Sequence, residues 1–177
     1  MERLGLGRTP VREALRLLAR EGLIEAYPRR GMIVSAVDAG DLTALSEVRA
    51  ALEPLAARLA AERATAAERS ETDALLAELT RAAGGRDERK LIELDQRIHR
   101  HVYGCSHNPF LAATLDEHYV LALRVWFLAL DRVPRLAAAV QEHRALLSAI
   151  RDGDGDTAER VAREHVLGFD AAIRQAL

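Results

Sequence analysis

Leu91-Ile-Glu-Leu-Asp95-Gln-Arg-Ile-His99-Arg-His-Val-Tyr-Gly-Cys-Ser-His-Asn-Pro109 is the stretch whose reading decides the fold. Its apolar residues Leu91, Leu94, Ile98 and Val102 recur at helical spacing. On that helix Asp95 and His99 stand four residues apart, on one face and one turn from each other. Their face lies close to the apolar one, so both side chains point into protein. A buried carboxylate and imidazole need partners, because burying polar groups unpaired costs free energy. A divalent metal completed by ligands from elsewhere is one such partner.

The rest of the chain supplies candidates. Gly153-Asp154-Gly155 reads as a tight turn between two helices, the first starting at Pro134 and running to Arg151, the second from Asp156 to about Ile173. His143 lies eleven residues before Asp154 and His165 eleven after it. Equal distances from the turn of an antiparallel hairpin mean equal height, so the two imidazoles can meet. Each also falls with apolar residues on its own helix: Leu136, Ala139, Val140, Leu146 and Leu147 for His143, and Val161, Ala162 and Phe169 for His165. Asp95, His99, His143 and His165 therefore form a candidate metal site. Three imidazoles and a carboxylate suit a divalent transition metal such as zinc, nickel or manganese. Glu142 and Glu164, each beside a histidine, are candidates to hydrogen-bond the ligand rings from outside. His101, about 200° round the helix from His99, is expected to point away. His107 and His118 have no partner at ligand spacing and read as surface or interface residues.

Four more helices complete the expectation. Asp41 caps one through Leu42, Leu45, Val48, Leu52, Leu55 and Leu59, with Pro54 inside it, where it should kink the helix or leave a carbonyl free. Ala66 to Ala83 is the next, stopped by Gly84-Gly85. The opening stretch is the third, and Asn108-Pro109 begins a fourth, apolar almost all round, to about Leu130. With the last two, these make a six-helix antiparallel bundle. Composition agrees: 49% of the 177 residues are hydrophobic but only 4% aromatic, which favours helices packed through Ala and Leu.

The N-terminal end is different. Residues 1–35 hold seven Arg against four Glu, while the whole chain has a net charge of −2. A small basic end therefore sits on an acidic body. Thr9 and Pro10 suit the cap and first position of a helix whose face is Val11, Ala14, Leu15 and Leu18, ended by Gly22. Leu23–Tyr27 and Met32–Val34 read as strands joined by a Pro28-Arg29-Arg30-Gly31 turn. A short helix followed by a basic-tipped hairpin is the second half of a winged helix. Arg8 and Arg12, four apart at the helix start, can reach base edges in a major groove. Thr9 and the first backbone N–H groups suit phosphate. Arg30 and Gly31, with Arg29, can approach the DNA backbone from the wing.

Cys105 is the single cysteine, which excludes an internal disulfide, suggests a reducing compartment and reads as a small buried helix-end thiol. No long apolar run opens the chain, so no signal peptide is expected. Tyr119–Leu130, broken by Arg124, is too short to span a bilayer. A cytoplasmic protein with no membrane partner is the expectation.

Two parts of the sequence resemble a known family. Gly-Arg-Thr-Pro-Val-Arg-Glu-Ala-Leu from Gly7, Leu-Leu-Ala-Arg-Glu-Gly-Leu-Ile from Leu17, and Pro-Arg-Arg-Gly-Met-Ile-Val from Pro28 closely resemble the end of the winged helix-turn-helix of GntR-family transcription regulators. The family usually carries Ser or Thr where Gly7 stands. Its first helix and most of its second are not in this sequence, so the expectation is a DNA-binding head truncated within the motif. Val48-Arg49 with Glu53, Asp95-Gln-Arg-Ile-His99 leading to Asn108-Pro109, Glu142-His143 with Ala149-Ile150-Arg-Asp-Gly-Asp, and His165 are similar to the FCD ligand-binding domain of the FadR subfamily. Six helices resemble its shorter, VanR-like branch. The resemblance implies metal binding by Asp95, His99, His143 and His165, and a small carboxylate effector held with help from Arg49 and Asn108. It further implies a homodimer acting on a DNA operator.

The expected organisation is a partial winged helix-turn-helix with a hairpin wing at residues 1–36, then a helical metal- and effector-binding domain at 37–177. The expected function is a ligand-responsive DNA-binding transcription regulator and not an enzyme. Two alternatives stand beside it. One is a metal-dependent hydrolase, for which Glu142 would be the candidate base. The other is a metal or ligand sensor that no longer binds DNA.

Overall fold

The structure, a computed structural model, describes residues 5, 7–20, 22–35, 39–82, 87–129 and 136–176. It divides into two compact units, residues 1–38 and 39–177.

The first unit holds helix α1 (Arg8–Arg20) and the antiparallel strands β1 (Ile24–Tyr27) and β2 (Gly31–Val34). The helix begins two residues earlier than expected, so Gly7 occupies the cap position and Thr9 lies inside the first turn. Val11 N–H donates to Gly7 O across 3.5 Å. Pro10 still falls within the first turn, where its missing N–H costs little. Gly22, at φ +71°, ends the helix; its N–H donates to Ala19 O and that of Leu23 to Leu18 O. In the hairpin turn, Arg30 N–H donates to Tyr27 O at 3.1 Å, with Pro28 second and Arg29 third at φ +62°. None of the α1 side chains is fully buried.

The second unit is a six-helix bundle: α2 (Ala39–Arg63), α3 (Ala66–Ala82), α4 (Glu88–Cys105), α5 (Pro109–Ala129), α6 (Leu136–Asp152) and α7 (Gly155–Ala176). α7 packs mainly along α2, α6 along both α3 and α7, and α4 against α2, α5 and α6. Buried Ala56, Ala57, Ala60, Ala61 and Ala64 let α2 lie close to its neighbours, and Leu75, Leu79, Ile98, Leu115, Leu147 and Ile150 fill the core.

Two helix starts of this unit differ from expectation. α2 begins at Ala39, so Asp41 lies within it and is not its cap. α7 begins at Gly155 because Asp154 is the cap: its Oδ1 accepts from Thr157 N–H at 3.0 Å. Asp156 instead occupies the first turn. The expected start of α6 at Pro134, the Gly84-Gly85 stop and Leu130 lie outside the described residues. Pro54 is accommodated inside α2. Its missing N–H deprives Ala50 O of the helical partner four residues on, and Arg163 of α7 donates to that oxygen at 3.3 Å. The free carbonyl expected from the sequence thus becomes a link between α2 and α7.

The turns that set the site are fixed by local bonds. Thr65 and Glu68 form a reciprocal cap at the start of α3: Glu68 Oε2 accepts from Thr65 N–H (2.7 Å) and Thr65 Oγ1 accepts from Glu68 N–H (3.3 Å). The α6–α7 turn closes through Gly153, at φ +78°, with Asp154 N–H donating to Ala149 O. This turn sets the relative height of His143 and His165.

Candidate functional site

α4, α6 and α7 bring His99, His143 and His165 together in the middle of the bundle. Their ligand nitrogens lie within 4.8 Å of one another. The rings of His143 and His165 are 4.4 Å apart between centroids, as the equal spacing from Asp154 requires. His99 Nε2 and His143 Nε2 are 3.1 Å apart. All three side chains are at most 9% exposed.

The outer nitrogens decide what the inner ones can do. His143 Nδ1 faces Val140 O at 3.3 Å and Asp95 Oδ1 at 3.6 Å, both acceptors. His165 Nδ1 faces the Glu142 carboxylate at 3.1 Å. A neutral imidazole donates from one nitrogen and offers a lone pair at the other. In their neutral forms both rings bond to these acceptors through Nδ1–H and turn an Nε2 lone pair towards the common space. Burial foremost, and then the neighbouring imidazoles, hold His99 and His143 uncharged by lowering their pKa well below the usual histidine range.

This donor set fits a transition metal. Two nitrogens each about 2.0–2.1 Å from a tetrahedral ion lie about 3.3 Å apart, close to the separation of the His99 and His143 nitrogens. Asp95 stands beside the trio, with Oδ2 3.9 Å from His99 Nε2. The same oxygen accepts from the Tyr119 hydroxyl at 2.7 Å. Burial pushes the Asp95 carboxyl up to about 6, against opposing effects of Tyr119, His165 and Arg49.

Arg49 of α2 is 3% exposed, a rare place for a guanidinium. Its Nε donates to Glu53 Oε1 at 2.6 Å, and its guanidinium carbon sits 5.4 Å from the Phe169 ring centroid. Arg49, Asp95, His99, Tyr119, His165 and Phe169, with Ala122 and Leu123, line a cavity of about 20 Å³, room for one water-sized guest.

Not every expected residue is brought here. Asn108 does not line this cavity; its Oδ1 accepts from Leu111 N–H at 3.2 Å, which makes it the cap of α5. Glu142 reaches His165, but Glu164 is exposed and pairs with Arg160 at 3.1 Å. His101 points away, towards α3: its Nε2 donates to Thr72 Oγ1 at 2.8 Å, whose own proton goes to Glu68 O. His107 pairs with Glu68, and His118 Nδ1 donates to Thr114 O. Cys105 is buried beside His101, and burial raises its thiol to about 12. Sequence reasoning missed Tyr103 and Tyr119. The Tyr103 hydroxyl lies 3.1 Å from His99 Nδ1. Its position one turn beyond His99 was a usable signal; Tyr119 gave none. In the first unit Arg8, Thr9, Arg12, Arg29, Arg30 and Gly31 are all exposed.

Comparison with known proteins agrees with this architecture. Residues 44–168 match the FCD domain model, and residues 1–34 match that of bacterial regulatory proteins, gntR family. The chain belongs to the GntR family. It is a GntR-family transcriptional regulator with an FCD domain, and the hydrolase alternative is set aside. It is 32% identical over 184 residues to the galactonate operon transcriptional repressor of Escherichia coli, covering 91% of this chain and 78% of that protein. It is 30% identical to a probable D-xylose utilization operon transcriptional repressor of Paenarthrobacter nicotinovorans, covering 94% and 73%. Among solved structures, E. coli McbR/YncC superposes with a TM-score of 0.86 at 24% identity, covering 98% of this chain and 83% of that one, which supports the fold.

Proposed function

We propose that this GntR-family regulator senses a small carboxylate through a metal held by His99, His143 and His165 with Asp95. Residues 1–36 form its DNA-binding part and residues 37–177 its sensing domain, and it acts as a cytoplasmic homodimer on a DNA operator. The observation that carries the metal reading is the pair of acceptors facing Nδ1 of His143 and Nδ1 of His165. Acceptors at both Nδ1 atoms leave their Nε2 lone pairs aimed into the space that His99 Nε2 shares. A bound divalent ion would supply positive charge there and a coordination position for an acid. Zinc, nickel and manganese all suit such donors. Glu142 orients His165 through its Nδ1–H.

Arg49 supports the carboxylate reading. It is a buried cation in the cavity wall beside Asp95 and His165, and guanidinium forks match carboxylates. The cavity holds about one water, so a larger acid enters only when apolar lining such as Leu123 and Phe169 gives way. Binding then favours a state of the bundle different from the free one, as a ligand-driven switch requires. Arg8, Thr9 and Arg12 at the start of α1, with Arg30 and Gly31 on the wing, are the proposed DNA contacts. Among the described residues, no helix is long and apolar enough to cross a membrane.

Elemental analysis of purified protein, wild type against His143→Ala, tests the reading. About one equivalent of transition metal per chain in the wild type, lost in the variant, is expected. Equal metal content in the two, or none in the wild type after reconstitution, would refute it.

A further inference from the structure

The Tyr103 hydroxyl faces two acceptors and has one proton. His99 Nδ1 lies 3.1 Å from it, and Glu53 lines the same small pocket as Tyr103 and His99, where its carboxylate, after burial, raises the pKa of the hydroxyl. Glu53 Oε2 is itself 3.8 Å from His99 Nδ1, while its Oε1 takes the Arg49 Nε–H at 2.6 Å. Arg49, Glu53, Tyr103 and His99 thus form a continuous buried chain from the cavity wall to the histidine cluster.

The proton on His99 determines whether that cluster is open. His143 Nε2 carries a lone pair, because Nδ1 of that ring faces only acceptors. In the metal-free protein, the 3.1 Å contact between His99 Nε2 and His143 Nε2 is satisfied when His99 bears its proton on Nε2 and donates it. His99 Nδ1 is then a lone pair and accepts the Tyr103 O–H. In the alternative arrangement the proton sits on His99 Nδ1 and is donated to the Tyr103 oxygen, while the Tyr103 proton turns to Glu53. His99 Nε2 is then a lone pair like that of His143. The two arrangements contain the same number of protons: one leaves Nε2 and one is gained at Nδ1. Each satisfies the hydroxyl, but only the second leaves all three inner nitrogens able to coordinate.

We infer that Tyr103, with Glu53 as its alternative acceptor, is the positioning residue that switches His99 between a closed tautomer bonded to His143 and an open tautomer able to take a metal. This rests on the metal reading proposed above. Phenylalanine at position 103 leaves a buried Nδ1–H without its acceptor in the open form. Glutamine at 53 weakens the pull on the Tyr103 proton. Both bias His99 towards the closed form.

Two measurements test this. The first is nitrogen-15 NMR of the histidine rings in metal-free wild-type protein, which is expected to show His99 protonated at Nε2. The second is Zn²⁺ titration of wild type, Tyr103→Phe and Glu53→Gln, where both variants are expected to bind at least about 10-fold more weakly. A metal-free His99 protonated at Nδ1 would overturn the inference, as would wild-type Zn²⁺ affinity in both folded variants. If the wild type itself takes up no Zn²⁺, the metal reading fails separately, and the metal-free tautomer still decides whether Tyr103 holds His99 closed.

Discussion

His143 Nε2 and His99 Nε2 approach to 3.1 Å at the centre of the bundle, although the two residues stand 44 apart in the chain. At most one of the two nitrogens carries a proton, since His143 keeps its own on Nδ1. A cation that replaces this contact with two coordinate bonds binds the folded bundle and not the unfolded chain. Zn²⁺ at about 1,000 times its dissociation constant should add about 4 kcal/mol, equivalent to about 8–16 °C in Tm for a domain of this size. Scanning calorimetry with and without Zn²⁺, and after chelation, measures it. A Tm that does not move with Zn²⁺ would contradict the site.

The pairing of His143 with His165 was legible because a short turn fixes height, and counting from Asp154 needs no three-dimensional information. The Asp95/His99 pair was legible from helical spacing. Glu53, Tyr103 and Tyr119 were not assembled, because their roles arise from which helices become neighbours. Buried Tyr119 looks in sequence like any apolar residue of α5, and only packing aims its hydroxyl at Asp95. Asn108 shows a role that local sequence does reveal. The family match suggested an effector contact, whereas the local Asn-Pro sequence already predicted the helix start that its side chain caps. The turn holding Asp154 and Asp156 contains two competent caps, and the local bond from Thr157 N–H to Asp154 moved the start of α7 one residue earlier than expected.

Arg49 and Glu53 are a buried ion pair, with side chains 4% and 5% exposed. Removing one partner leaves the other charge buried. Arg49→Met should therefore destabilise the protein by about 3–5 kcal/mol, while Arg49→Met with Glu53→Gln should cost clearly less than the sum of the single changes. Urea unfolding of the four proteins provides the cycle, and additive losses would show that the two charges act independently.

Glu68 gives a prediction about pH. Hydrogen bonds from the Thr65 N–H and hydroxyl lower its carboxyl to about 2, from an ordinary value near 4.5. A folded-state pKa below the unfolded one means that the ionised cap stabilises fully above about pH 4.5. That contribution fades as pH falls towards 2. Glu68→Gln should be less stable than wild type by about 1 kcal/mol at pH 6, with the gap closing between pH 4.5 and 2. Urea midpoints across this range measure it; a gap that stays constant down to pH 2.5 would assign the cost to something other than the charge.

Arg29 and Arg30 extend the argument to DNA. Both are exposed at the tip of the β1–β2 hairpin, where Arg29 holds φ +62° and Gly31 φ +85°. As backbone contacts they carry charge but no base readout, so their loss should weaken binding evenly across sequences. Each phosphate contact contributes about 0.9 to the slope of log affinity against log salt. Arg30→Ala should reduce the slope measured on a mixed-sequence duplex by about that amount, and Arg29→Ala with Arg30→Ala by about twice as much. Arg12, proposed above as a DNA contact from the start of α1, should behave differently if it reads base edges: Arg12→Ala should lower the preference between duplexes of different sequence by about 1–3 kcal/mol. Fluorescence anisotropy over a salt series separates the two kinds of loss. An unchanged slope in the double wing variant would remove the hairpin from the DNA interface and leave α1 as its proposed contact.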